Sequence, residues 1–119
     1  MHASHGNKIT TVQLLLANNA NVDVQNKDGV TALIGASRKG YIKVVELLLG
    51  KNANMNRQTA KGATALMCAS QEGHIECAKL LLEKGADISI KAFAGETAKD
   101  LAQRKGHQEI VNLITEVRI

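Results

Sequence analysis

Residues 62–87 read GATALMCASQEGHIECAKLLLEKGAD, and residues 29–54 read GVTALIGASRKGYIKVVELLLGKNAN, nearly the same text. Gly29, Gly62 and Gly95 fall 33 residues apart, and Gly40, Gly73 and Gly106 keep the same step. So do Thr31, Thr64 and Thr97, Ala32, Ala65 and Ala98, and Ala36, Ala69 and Ala102. The triplet Leu47-Leu48-Leu49 recurs as Leu80-Leu81-Leu82 and, running backwards, as Leu14-Leu15-Leu16, while Ala3-Ser4 matches Ala36-Ser37. The chain therefore holds three units of 33 residues and the tail of a fourth.

Each unit predicts two helices and a loop. Thr31 is an N-cap for a short helix rich in small apolar residues, which Gly40 ends in a conformation suited to glycine. A second helix is expected from about Ile42 to about Gly50, with Ile42, Val45, Leu48 and Leu49 forming a buried stripe that Val44 and Leu47 widen. The polar run KNANMNRQTAKG, residues 51–62, reads as an extended loop with a tight turn. One pair of short helices cannot bury its apolar side alone, whereas a stack of pairs makes a continuous core. The text repeats because each unit is the wall for the next.

Composition agrees with this and limits function. With 119 residues, 45% apolar and 22% charged, one globular domain is expected. Aromatic residues amount to 2%, Tyr41 and Phe93 alone, so the core must be aliphatic and suits closely packed helices. No apolar run nears the roughly 18–20 residues that span a bilayer, so membrane insertion is not expected and a soluble chain is. The opening MHASHGNKIT lacks the pattern of a secretory signal, and two cysteines do not make a disulfide framework. A reducing setting, cytoplasmic or nuclear, follows as the expectation.

These units resemble ankyrin repeats, whose consensus runs G-x-T-P-L-H-x-A-A-x-x-G-H, then an I-V-x-x-L-L helix and G-A-D. The resemblance covers essentially the whole chain and implies an all-α solenoid of stacked helix-turn-helix units joined by hairpin-like loops. It divides residues 1–119 into one domain: a partial first repeat at 1–28, internal repeats at 29–61 and 62–94, and a C-terminal capping repeat at 95–119. Ala32, Ala65 and Ala98 stand where the family has proline, and Ile34 and Met67 where it has histidine, so apolar packing is expected to replace a bond between units. Lys99-Asp100 replaces Leu33-Ile34 and Leu66-Met67, which suits a solvent-facing cap. Met1 falls in the register of Ile34, so the chain reads as a fragment of a longer array, with Asn7 weakening the first inter-helix turn.

Chemistry-bearing residues are sparse. Cys68 and Cys77 take the places of Gly35 and Val44 and read as small core residues, since His74 and Cys77 supply two metal ligands at most. His74 and His107 follow turn glycines and are expected to pack and hydrogen-bond at helix starts; His2 and His5 receive no role. No phosphate-binding glycine loop and no basic–aromatic interleaving occurs. No catalytic residue, metal or cofactor is therefore assigned, and a non-enzyme is expected.

Side chains separated by 33 should lie side by side, which predicts an alternating ladder Lys39, Glu72, Lys105 and the pairs Lys43–Glu76 and Glu46–Lys79. Exposed pairs of this kind contribute about 0.2–1 kcal/mol each. The resemblance implies that partners bind at turn tips and first-helix ends. In the first complete unit these are Gln25, Lys27, Asp28, Val30, Arg38 and Lys39. The next unit supplies Gln58, Lys61, Gln71 and Glu72. The last supplies Lys91, Phe93, Glu96, Arg104 and Lys105. This set has seven basic residues and three acidic ones in a chain of net charge +4, so the implied partner is a protein or peptide with acidic residues on a concave face. The alternative is an anion, nucleic-acid or acidic-lipid binder, although the scattered basic residues do not require nucleic acid. Phe93 is expected either to anchor a partner or to cover the last units' core. A monomer is expected, and Asn56, eight residues after Leu48, resembles the family's asparagine hydroxylation site.

Overall fold

A computed structural model describes residues 23–117. The expectations for the partial first repeat that fall on residues 1–22, including the Asn7 turn, lie outside the described residues. Six helices follow in order: α1 Ala32–Lys39, α2 Ile42–Gly50, α3 Ala65–Glu72, α4 Ile75–Glu83, α5 Ala98–Arg104 and α6 Gln108–Glu116. Among the described residues the fold is all-helical, and each helix pair stacks on the next.

The N-caps act as the threonines predict. Thr31 and Thr64 Oγ1 accept from the backbone N–H of Ile34 and Met67 at 3.2 Å, satisfying one orphan donor in each first turn. At α5 the Asp100 carboxylate also accepts from the Thr97 N–H at 3.0 Å, completing a capping box. The residue that marked the polar cap in sequence thus also starts its helix.

Gly40 and Gly73 end α1 and α3 with φ of 77° and 79°, the left-handed region that a side chain disfavours. Their bareness has a second use. A Cβ on Gly40 would stand 2.7 Å from His74 Nδ1, and one on Gly73 would stand 2.7 Å from His107 Cε1. Each imidazole covers the turn of the preceding unit.

The core is aliphatic. Leu33, Ile34, Val45, Leu48, Leu66, Met67, Leu81 and Ile110 are fully buried, and Ala65, Ala69, Ala78 and Ala102 let neighbouring helices approach closely. Ile34 and Met67 accordingly fill the seam with apolar volume. In α2 the buried positions are Val44, Val45 and Leu48, while Ile42 and Leu49 are only half-buried. The stripe therefore keeps Val45 and Leu48 at its centre with Val44 fully drawn in, and Ile42, Leu47 and Leu49 form its half-buried margins, since α2 packs on both α1 and α4.

Candidate functional site

The hairpins are built by side chains as much as by backbone. Asn26 Oδ1 accepts from the N–H of Asp28 at 2.8 Å and of Val30 at 3.0 Å, holding the first tip in a tight turn. Thr59 Oγ1 does the same one unit later, for Lys61 and Ala63. Neighbouring tips join through backbone bonds, Ala60 N–H to Asp28 O at 2.9 Å and Phe93 N–H to Lys61 O at 3.1 Å. Gly29 and Gly62 are required there, since a Cβ on either would meet the next tip's backbone at 2.7 Å.

Two expected partner-binding residues belong to this lattice. Gln25 Nε2 donates to Gly29 O at 2.8 Å and to Gln58 O at 3.0 Å. Gln58 Nε2 repeats the pattern, donating to Gly62 O at 2.8 Å and to Lys91 O at 3.2 Å. Their amides tie each hairpin to itself and to its successor. The recurrence of glutamine at a step of 33 was the available signal.

The loops bond across units at their other end too. The Asn54 N–H reaches Asp23 Oδ1 at 2.7 Å, and the Asp87 N–H reaches Asn56 Oδ1 at 3.0 Å. Asn56 is exposed, but its amide oxygen is occupied by that bond. Asp87 accepts from the Ser89 hydroxyl and N–H, which holds its carboxyl below the ordinary value.

At the first-helix ends, Arg38, Lys39, Glu72, Arg104 and Lys105 are exposed and Gln71 is half-buried. The histidines lock these ends to the following unit: His74 Nε2 lies 2.8 Å from Arg38 O, and His107 Nε2 lies 3.1 Å from Gln71 O. A carbonyl only accepts, so Nε2 carries the proton in each bond. Arg38 Nη2 sits 4.0 Å from Cys68 Sγ in the next unit. Burial pushes the Cys68 thiol up, against the opposing pull of Arg38, and burial raises Cys77 as well. Both thiols are free and buried, in keeping with their reading as core residues.

The charge ladder is corrected. Lys39, Glu72 and Lys105 form no ion pair with one another, and neither Lys43–Glu76 nor Glu46–Lys79 closes. Lys43 instead meets Glu46 on its own helix at 4.0 Å, and Arg104 pairs with Glu96 inside the last unit. Exposed side chains gain too little from screened attraction to offset the entropy of being held across a gap. Once Arg104 and Glu96 are set aside as a pair, the expected face keeps Lys27, Arg38, Lys39, Lys61, Lys91 and Lys105 against Asp28 and Glu72, still four more cations than anions. Phe93 is 77% exposed at the third tip, so it does not cover the core.

No helix among the described residues is long and apolar enough to cross a membrane. Among the same residues, no group of three or more His, Cys, Asp or Glu is placed to hold a metal ion.

Stacked helix pairs joined by hairpins that bond tip to tip define a helical repeat solenoid. The family model for ankyrin repeats in three copies matches residues 1–92, and the chain belongs to the ankyrin-repeat family. No curated protein matches the chain. Ankyrin repeats generally mediate protein–protein interaction and are typically without enzymatic activity. The matched residues stop short of α5 and α6, where Lys99 and Asp100 depart from the repeat text, yet the last unit folds as the same helix pair.

Proposed function

We propose that residues 1–119 form one ankyrin domain that binds an acidic segment of a partner protein along its first helices and hairpin tips, on the concave face, without chemistry of its own. The observation that carries this reading is the surplus of cations on that face after its internal ion pair is counted out. The tips and helix ends are held by backbone and side-chain bonds before any partner arrives, so little ordering entropy is lost on association. Arg38 and Arg104 already have partners, which leaves Lys27, Lys39, Lys61, Lys91 and Lys105 as the cations of this face without a side-chain partner among the described residues. The domain works as a monomer in the cytoplasm or nucleus.

The test is fluorescence anisotropy with a labelled hexaglutamate peptide. The triple variant Lys27→Glu, Lys39→Glu, Lys105→Glu should bind at least ten-fold more weakly than the parent. A second triple, Lys43→Glu, Lys51→Glu, Lys84→Glu, makes the same change in net charge away from the face and should bind close to parent affinity. Equal losses in both would sink the assignment of this face. An affinity for a DNA oligonucleotide that matches the peptide's and collapses steeply with salt would transfer the reading to general anion binding.

A further inference from the structure

We infer that the opposite side of the stack, formed by the second helices, carries a separate docking groove for a basic segment of a partner protein. The first helices touch their neighbours more extensively than the second helices do, so α2 and α4 stand apart and leave a shallow opening between them. It is lined by Ile42, Glu46, Glu76, Lys79, Leu80 and Glu83. Ile42 and Leu80 are half-buried apolar side chains, whereas the four charged residues are exposed.

Three carboxylates face one ammonium here, in a chain whose overall charge is +4. The imbalance is compensated only in part, through Lys43 beside Glu46. Glu76, Lys79 and Glu83 make no ion pair among the described residues, and the single pair of Glu46 is a 4.0 Å contact along its own helix. Glu46 and Lys79, which the repeat register sets opposite one another, line the same opening without closing it.

Two half-buried aliphatic side chains, Ile42 and Leu80, among separated carboxylates in a largely polar opening select the shape of the ligand. Arginine and lysine carry a long aliphatic stem that covers apolar surface and a cationic head that stays at the rim. A guanidinium also bonds a carboxylate through two parallel donors. A bare metal ion fits poorly, because the carboxylates are not gathered within reach of one centre. Anionic lipid and nucleic acid are repelled by the sign of the charge. With an acidic segment on one side and a basic segment on the other, the domain would join two partners at once.

The experiment uses the full chain and a fluorescein-labelled peptide of alternating arginine and glycine, read by anisotropy. A matched peptide with 2,3-diaminopropionic acid for arginine keeps the charge but lacks the stem. Saturable binding of the arginine peptide is expected, at least ten-fold tighter than its short-stemmed analogue. Glu76→Gln with Glu83→Gln should weaken it at least ten-fold. Glu109→Gln with Glu116→Gln removes the same charge from α6 and should change binding less than two-fold. Absence of saturable binding, equal affinity for the two peptides, or equal losses in the two double variants would each overturn the inference. Hexaglutamate binding by the Glu76→Gln, Glu83→Gln protein reports separately on the other face.

Discussion

Leu81 tests the shared seam most directly. It is 0% exposed in the last turn of α4, where the central unit meets neighbours on both sides, while Leu80 beside it is half-buried and lines the outer groove. Replacing Leu81 by alanine removes three carbon groups, about 2.4 kcal/mol at roughly 0.8 kcal/mol each. Neighbours pinned in two interfaces cannot collapse fully into the gap, so a cavity term brings the total to about 3–4 kcal/mol, within the ~2–5 kcal/mol range of buried leucines. Leu80→Ala leaves no enclosed cavity and should cost under about 1.5 kcal/mol. The chain has no tryptophan, so urea unfolding is followed by circular dichroism. If Leu80→Ala costs as much as Leu81→Ala, or Leu81→Ala costs less than about 1 kcal/mol, the core does not run between stacked units as described.

Gly73→Ala should lower the melting temperature through both its left-handed φ of 79° and the His107 ring 2.7 Å from the new methyl, and His107→Ala should recover part of that loss; strict additivity would refute the contact. Gln58→Ala, which cuts one hairpin's amide ties to itself and to the next unit, should cost about 1–2 kcal/mol in urea unfolding. Thr97 holds the Asp100 carboxyl below its ordinary 3.8, so its contribution is fully present above that value and lost as pH falls through the lower folded value. Asp100→Asn should thus melt lower than the parent at neutral pH, with the gap shrinking in acid; a gap independent of pH would remove the capping-box account.

The helix pairs were legible because their signals are local and recur. Thr31 caps, Gly40 turns and the leucine triplet would each be weak alone, but three copies at one step remove the ambiguity. The bonds between copies were harder to see. A step of 33 says that Glu46 and Lys79 are related, not that the second helices stand far enough apart to keep them from pairing. Gln25 and Gln58 show the converse, since an exposed amide near a turn tip resembles a binding residue until its carbonyl partners in the next hairpin are located. Arg104 and Glu96 lie 8 residues apart within one unit, and only the path of the third hairpin brings them together.

The two sides of the stack follow from one asymmetry. Alanines on the first helices allow close approach, so hairpins and first-helix ends are drawn into a continuous bonded surface whose polar side chains are partly consumed in holding it. The second helices meet one another less, and their Leu47, Leu49, Leu80 and Leu82 remain half-buried. Recognition residues on the first-helix side must therefore be those that the lattice does not use, and lysines satisfy that condition better than glutamines because their heads extend past the backbone they spring from. On the second-helix side Glu76 and Glu83 line the opening without an ion pair, and Glu46 has only Lys43 along its own helix. Which helices touch thus decides which side chains stay available on each side, and substitutions that alter one side's charge should leave stacking intact.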